Sequence, residues 1–141
     1  MNECRTGRFV VQRHEARTLH HDFRLEISGV FKSWAVPKGP PVQVGERRLA
    51  VMTADHDLSF GSFAGVIPPD EYGAGTITIW DQGTFTSDQD PAVCIAAGAL
   101  VLTLHGAKLR GRFELVKLRR GRWRAHPESR DWLITCRSTA I

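Results

Sequence analysis

The chain has 141 residues, of which 42% are hydrophobic and 24% are charged, and its formal net charge is +4. This is the composition of an ordinary globular protein, and the length predicts a single domain over residues 1–141. No apolar run approaches the ~20 residues that span a bilayer, and the N-terminus lacks the hydrophobic core of a signal peptide. The sequence therefore predicts a cytoplasmic protein without membrane segments.

Cysteine and arginine usage narrows the class of protein further. The three cysteines, Cys4, Cys94 and Cys136, form neither a disulfide framework nor a zinc site of the Cys type, so reduced thiols are expected. Arginines make up 15 of the 19 basic residues. One strip of basic residues is opposed only by Glu114 and comprises Lys108, Arg110, Arg112, Lys117, Arg119, Arg120, Arg122 and Arg124. Such a strip favours a polyanionic partner, with a solvated, charge-rich edge as the alternative.

Strand signals dominate the chain. Runs rich in β-branched and aromatic residues, separated by Gly or Pro, predict strands at 9–11, 23–27, 31–36, 48–53, 76–80, 99–104, 113–118 and 132–135. The nearly all-apolar run 99–104 is typical of a strand buried on both faces. One helical turn is expected at 15–18 and a short helix at 91–97, with Pro91 near its start. The predicted fold is all-β, a compact barrel of about eight short, mostly antiparallel strands with one or two short helices, and a sandwich is the alternative.

The segment from Gln12 to Ile27 is the most informative, because its second half alternates with the period of a strand. The apolar row contains Phe23, Leu25 and Ile27. The opposite row is polar and contains His20, Asp22, Arg24 and Glu26. Side chains at i and i+2 share one face about 6–7 Å apart. A polar row of this kind, backed directly by an apolar row, suits the lining of a cleft.

His20 and Asp22 are spaced so that both can bind one divalent cation. An imidazole with a carboxylate suits manganese, iron or zinc rather than calcium, and His14, across a short turn, completes a set of three ligands. Arg24 would then lie beside the metal, where a phosphate oxygen requires a second cation. The metal polarises a phosphoryl group, and the guanidinium stabilises charge that develops in the transition state. The alternative is that the histidines serve local structure alone.

Other segments supply candidates for phosphate contact. His56 lies between two acids at the end of a predicted strand, and an imidazole suits a general acid or a phosphate-binding cation; a turn histidine is the alternative. Lys38, in a Pro-Lys-Gly turn, and Arg48 are further candidates. The glycine-rich stretch 63–76 lacks the Gly-Lys-Ser/Thr ending of a P-loop, so tight turns are expected there.

These motifs resemble the 3′-phosphoesterase domain of bacterial DNA ligase D, the multifunctional ligase of non-homologous end joining. Shorter matches lie at 108–113 and 132–134, and three longer blocks carry most of the resemblance. The blocks are FVVQRH (9–14) with LHHDFRLE (19–26), KSWAVPKGP (32–40), and GVIP (65–68) with EYGAGT (71–76) and WDQG (80–83). The resemblance covers residues 9–136, which is nearly the whole chain.

The resemblance implies a compact β-barrel with a manganese-dependent site. The family removes a 3′-terminal ribonucleoside from a primer strand, leaving a 3′-phosphate, and then hydrolyses that phosphate to a 3′-hydroxyl. Its metal ligands fall on His14, His20 and Asp22. Its phosphate-binding residues fall on Arg24 and His56, with Gln12, Lys38 and Arg48 in support. The implied partners are the 3′ ends of DNA or RNA–DNA primer-templates, a separate DNA ligase and a Ku-like factor.

The chain departs from the family pattern in three places. Similar proteins have an acidic residue where Ala54 stands and a tyrosine where Phe60 stands. Only eight residues precede Phe9, where the family has a longer arm that assists removal of the ribonucleoside. The phosphomonoesterase step is therefore the firmer expectation of the two. Since no ligase or polymerase domain follows the motifs, this copy is expected to act in trans.

Two other functions fit parts of the sequence. His20 and Asp22, with His56 or His105, also match the two-histidine, one-carboxylate triad of non-haem iron oxygenases. That assignment gives no role to Arg24 or His14. The second alternative is a non-catalytic nucleic-acid-binding β-barrel in which the histidines are structural.

Overall fold

A computed structural model of the protein describes residues 5–118 and 129–139. The strands in these ranges are β1 (Arg5–Glu15), β2 (Leu19–Ile27), β3 (Val30–Val36), β4 (Arg47–His56), β5 (Gly65–Ile67), β6 (Gly75–Ser87), β7 (Ala99–His105), β8 (Arg110–Lys117) and β9 (Asp131–Ser138). The helices are α1 (Pro91–Ala97) and a 3₁₀ helix (Leu58–Ser62). The predicted all-β class is confirmed.

Antiparallel pairing joins the strands into one sheet with the order β1-β2-β3-β4-β9-β8-β7-β6-β5. β1 also pairs with β6 along its whole length. Eight strands therefore form a closed ring of pairings, and β5 extends β6 outside that ring. Closure removes the unpaired edges that an open sheet would present to solvent.

Most predicted elements are present, and the differences have local causes. The helix at 91–97 is confirmed: the Asp90 side chain accepts the Ala92 N–H, and Gly98 ends the helix with φ of 91°. The helical turn expected at 15–18 is wrong, because those residues form the bend between β1 and β2. The strand β5 was not predicted, since its three residues are too few for a periodic signal. β7 is not buried on both faces, because Val101 is exposed between buried Leu100 and Leu102.

The hydrophobic core contains buried side chains from each of the eight ring strands. Phe23 and Leu25 of β2 are fully buried in it, as the alternation predicts. The rings of Trp34 and Trp132 meet edge to face with their centroids 5.6 Å apart. Fully burying a large apolar side chain contributes about 1.5–3 kcal/mol. The polar row of β2 therefore lies on the face of the sheet opposite to this core.

A buried aspartate on β6 holds the turn between β7 and β8. Asp81 is 5% exposed, and its carboxylate accepts the backbone N–H groups of Ala107, Lys108 and Leu109 at 2.8 to 3.1 Å. This turn carries the first residues of the predicted basic strip. The four arginines at 119–124 lie outside the described residues, as does Cys4.

Two further findings concern the cysteines and the possibility of a membrane-spanning helix. Cys94 and Cys136 are both free thiols. No helix in the described part of the chain is long and apolar enough to cross a bilayer.

Replacement of Asp81 tests the role of this turn. We expect Asp81→Ala to lower the free energy of unfolding by about 3 kcal/mol, because the buried Leu109 N–H and the partly buried N–H groups of Ala107 and Lys108 lose an acceptor. Urea unfolding followed by circular dichroism measures the change. The exposed Asp88 provides a matched control, since Asp88→Ala should stay within about 0.5 kcal/mol of the wild type. Equal effects of the two substitutions would contradict the assignment.

Candidate metal centre

Four adjacent strands present the candidate residues on the face opposite to the core. In the register of the sheet, His14 of β1 pairs with His20 of β2, and Arg24 of β2 pairs with Ser33 of β3. A covering segment, which we define as residues 57–74, lies over this face and comprises the 3₁₀ helix, β5 and the turn that follows it. Sheet and covering segment enclose a cavity of about 370 Å³.

Three potential metal ligands meet inside this cavity. One nitrogen of His14, one nitrogen of His20 and one carboxylate oxygen of Asp22 all lie within 4.8 Å of one another. The His20 Nε2 atom is 3.2 Å from Asp22 Oδ1, and the His14 Nδ1 atom is 3.7 Å from Asp22 Oδ2. The structure thus brings together the three residues that the sequence suggested as ligands of one cation, two from the polar row of β2 and His14 from β1. Two imidazoles and one carboxylate suit manganese, iron or zinc.

The far side of the His14 ring is fixed by the covering segment. Its Nε2 atom lies 2.9 Å from the Gly73 carbonyl oxygen and 3.2 Å from the Ala74 carbonyl oxygen. An Nε2–H that donates to a carbonyl leaves the lone pair on Nδ1, which faces Asp22. Metal-binding histidines are oriented in this way by a backbone acceptor on the second nitrogen. The donor set therefore fits a divalent transition metal in its chemistry and in its orientation.

Charge pairing sets the protonation of the cluster. Burial is the largest effect on Asp22 and favours the neutral acid, but the hydrogen bond from His20 and the charge of Arg24 prevail and lower the pKa of the Asp22 carboxyl. The same hydrogen bond, opposed by burial, raises the pKa of the His20 imidazole. A proton on His20 therefore balances the negative charge of the Asp22 carboxylate, and a divalent cation would replace that proton.

Arg24 is a buried guanidinium with a partner on every side. It is 3% exposed, and its Nε and Nη1 atoms donate to Gln12 Oε1 at 2.6 Å and Ser33 Oγ at 2.7 Å. Its Nη2 atom lies 3.6 Å from Asp22 Oδ2, and the Phe60 ring covers it with 4.9 Å between Cζ and the ring centroid. Burial lowers the pKa of Arg24 and the Asp22 charge raises it, and a guanidinium stays protonated.

His56 reaches the same cavity from β4. A register shift between β3 and β4 precedes the pair Phe31–His56. The His56 Nδ1 atom lies 3.0 Å from Arg24 Nη1 and 2.9 Å from the Ala54 carbonyl oxygen. A neutral ring accepts from Arg24, whereas a protonated ring donates to Ala54. Burial, followed by the charge of Arg24, lowers the pKa of His56, so the neutral ring is favoured.

Three residues expected to support phosphate binding do not line the cavity. Gln12 is fully buried, and its Nε2 atom donates to the carbonyl oxygens of Phe60 and Phe63 at 2.8 and 3.1 Å. It therefore positions Arg24 and the covering segment instead of contacting a phosphate. Lys38 is exposed in the turn after β3. Arg48 is held by Glu46, with 2.9 Å between Nη2 and Oε2.

Two further histidines within the described residues, His21 and His105, lie apart from the cluster. His21 points to the opposite side of β2 and packs edge to face on Trp80, with centroids 5.4 Å apart. His105 is on β7, 3.4 Å from Thr86 Oγ1. Since the described cluster contains neither His105 nor His56, the ligand sets suggested for an iron oxygenase are not assembled.

Sequence reasoning missed Ser33 and Tyr72, which contribute to the site. A hairpin centred on Ser28 and Gly29 sets the β2–β3 register, so the pairing of Arg24 with Ser33 was available from the turn position. Tyr72 gave no periodic signal, because it lies in the turn of the covering segment.

Comparison with known proteins agrees with this geometry. The family model of the DNA Ligase D 3′-phosphoesterase domain matches residues 12–117. The chain is 45% identical over 121 residues to the multifunctional non-homologous end joining DNA repair protein LigD of Mycobacterium tuberculosis. The aligned residues make up 84% of this chain and 15% of that protein. It is 47% identical over 110 residues to the multifunctional non-homologous end joining protein LigD of Pseudomonas aeruginosa, covering 78% of this chain and 13% of the relative.

A third relative gives a similar value. The LigD protein of Mycolicibacterium smegmatis is 42% identical over 127 residues, which cover 84% of this chain and 16% of that protein. The chain thus spans only 13–16% of the length of these relatives. The match includes the three candidate metal ligands, His14, His20 and Asp22. The chain belongs to the DNA ligase D 3′-phosphoesterase domain family.

Proposed function

We propose that this protein is a manganese-dependent phosphoesterase that heals 3′ ends of DNA or RNA–DNA primer strands in DNA repair. It removes a 3′-phosphate and, before that step, a 3′-terminal ribonucleoside. The observation that carries the proposal is the convergence of His14, His20 and Asp22 in one cavity with Arg24, in a chain of this phosphoesterase family. The relatives are described as non-homologous end joining proteins, so this chain would serve that repair route with a separate ligase and a Ku-like factor.

His14, His20 and Asp22 would hold the Mn²⁺ ion. When bound, the ion supplies Lewis-acid polarisation of the phosphoryl group. The backbone carbonyls at 73 and 74 would keep the His14 Nδ1 lone pair available for the ion. Three side chains would thus bind the ion, and the cavity beside them is open to substrate.

Arg24 supplies the second cation. Its planar fork is held rigid by Gln12 and Ser33, so it requires little reorganisation when a phosphate enters. Fixed charge of this kind stabilises the developing negative charge of a transition state more strongly than mobile charge does.

His56 completes the site as a proton carrier. A bound phosphate dianion would offset the charge of Arg24, which is one of the two main causes of the low His56 pKa. The ring would then take up a second proton from solvent and donate its Nδ1–H to the Ala54 carbonyl. Its other nitrogen would give a proton to the leaving 3′ oxygen as the phosphorus–oxygen bond breaks and a water oxygen bonds to phosphorus. General acid catalysis of this kind contributes about 10²–10⁴-fold to rate.

An end-labelled primer–template tests the proposal directly. One substrate carries a 3′-phosphate and a second carries a 3′-terminal ribonucleotide, and each is incubated with Mn²⁺, Mg²⁺, Zn²⁺ or EDTA. We expect a 3′-hydroxyl product from the first substrate with Mn²⁺ and none with EDTA. A product ladder from the second substrate would establish the ribonucleoside step. Salt-sensitive strand binding that ignores EDTA and gives no product would indicate a non-catalytic nucleic-acid-binding protein.

Removal of single ligands should abolish turnover. His20→Ala and Asp22→Ala are each expected to lower phosphate release at least 100-fold, because second-shell changes alone cost 10–100-fold. The matched control is His105→Ala, which removes a half-buried histidine outside the cavity. Circular dichroism of each variant verifies the fold. Wild-type rates in the two ligand variants under Mn²⁺ would contradict the metal assignment.

Arg24→Lys separates charge from geometry. A lysine keeps the charge but cannot make the parallel contacts to Gln12, Ser33 and Asp22. We expect kcat to fall about 10²–10³-fold, as for the loss of one fixed donor to a developing oxyanion. Single-turnover kinetics on the 3′-phosphate substrate measure this. A lysine variant with unchanged kcat would show that the guanidinium has no role in the chemical step.

Metal affinity should rise with pH. The metal must displace the proton that His20 holds, and the pKa of His20 is raised by Asp22. Below that pKa the apparent affinity for Mn²⁺ should fall about tenfold per pH unit, and above it should level off. Titration of the Mn²⁺ electron paramagnetic resonance signal between about pH 5.5 and 8.5 tests this. Affinity that does not change over the range would exclude His20 as a ligand.

A further inference from the structure

Tyr72 stands at the rim of the metal cavity with its side chain entirely in solvent. It is the single tyrosine of the chain and lines the cavity with His14 and Gly73. The residue is fully exposed, with a relative accessible surface of 101%. The other Phe and Trp side chains within residues 5–118 and 129–139 are buried or half-buried. Packing of the fold therefore does not account for the position of this ring.

The backbone around Tyr72 is fixed by a hydrogen-bonded turn and, just after Tyr72, by contacts with His14, one of the three candidate metal ligands. The turn is closed by two hydrogen bonds, from the Glu71 N–H to the Pro68 carbonyl at 3.0 Å and from the Ala74 N–H to the Glu71 carbonyl at 3.2 Å. Gly73 follows with φ of 78°, which an L-residue rarely adopts. Because the carbonyls of residues 73 and 74 hold the His14 ring, the Tyr72 backbone has a fixed position relative to the metal ligands.

The other aromatic wall of the cavity is already engaged within the protein. Phe60 covers the Arg24 guanidinium and stacks on Phe63 with an interplanar angle of 7° and 5.2 Å between centroids. The lining also includes the apolar side chains of Ile67 and Ile77. The cavity therefore combines an anion site of cationic and metal-binding groups with a flat, solvated aromatic face. A nucleotide has the matching parts, a phosphate and a planar base.

We propose that Tyr72 stacks on the base of the 3′-terminal nucleotide and thereby positions the 3′-phosphate at the metal cluster. The proposal rests on the function proposed above and names how that substrate is held. Stacking on an aromatic side chain accepts every base, because each has a π-face, so the site would read the presence of a terminal base and not its identity. Tyr72 is thus a positioning residue that acts on binding.

The test compares two 3′-phosphate ends that differ only in their last nucleotide, one with a normal base and one abasic. For the wild type we expect KM about tenfold higher on the abasic end, which is the size of one aromatic–base stack. Tyr72→Ala should raise KM about tenfold on the normal end, leave kcat within twofold and have no effect on the abasic end. Tyr72→Phe keeps the ring and should behave as the wild type.

Val66→Ala is the matched control, since Val66 is an exposed apolar residue on β5 that does not line the cavity. It should leave both substrates unchanged. If Tyr72→Ala slows the abasic and normal ends equally, or changes neither, the stacking proposal is overturned. Loss of activity in Tyr72→Phe as well would assign the effect to the hydroxyl and would also overturn it.

A binding measurement keeps the stacking proposal separate from the proposed reaction. The strand carries 2-aminopurine as the base of a terminal deoxynucleotide with a 3′-hydroxyl, so neither proposed step turns it over. Stacking should quench its fluorescence with the wild type and Tyr72→Phe, and the quench should be lost with Tyr72→Ala. If the wild type releases no phosphate from any end, the proposed function fails, and the fluorescence result still decides whether Tyr72 stacks. Equal quenching by the wild type and Tyr72→Ala would refute the proposal that Tyr72 stacks on the terminal base.

Discussion

A carboxylate buried against a guanidinium is the constraint around which this site is organised. Asp22 and Arg24 are 9% and 3% exposed, and ions removed from water destabilise a fold unless they are paired and hydrogen-bonded. Here the carboxylate faces His20 and the guanidinium, and the guanidinium donates to Gln12 and Ser33. These partners come from three neighbouring strands, so the pairing of β1, β2 and β3, with Phe60 over the guanidinium, is what allows both charges to be buried together.

The side chains that form the site also attach the segment that covers it. Gln12 joins Arg24 to the 3₁₀ helix through the carbonyl oxygens of Phe60 and Phe63. His14 joins the metal cluster to the turn at residues 73 and 74. Each connection satisfies a buried polar group that would otherwise be costly. Cover and site are therefore one hydrogen-bonded unit, which gives the preorganisation that electrostatic catalysis needs.

Much of the fold and the centre of the site could be predicted from the sequence. The alternation along residues 20–27 assigned the buried apolar row and the polar row of β2, and both are observed. The resemblance to the phosphoesterase family is confirmed by the family match. Short irregular elements could not be predicted, because β5 and the 3₁₀ helix have three and five residues. Gln12 carried no sign of its positioning role, since a glutamine in a strand can face a ligand or the protein.

Local side-chain parity is a property of the chain itself, and it determined which residues share a face: His20, Asp22 and Arg24 had to project together wherever a strand formed there. What those side chains meet was decided only by tertiary structure. Gln12 reaches Phe60 across 48 residues, and His14 reaches Gly73 across 59. Contacts at such separations depend on how the whole sheet closes, and no local pattern encodes them. The sequence of β2 thus determined by itself the row that holds two of the three candidate ligands and Arg24, whereas the cover over that row was decided only by the tertiary structure.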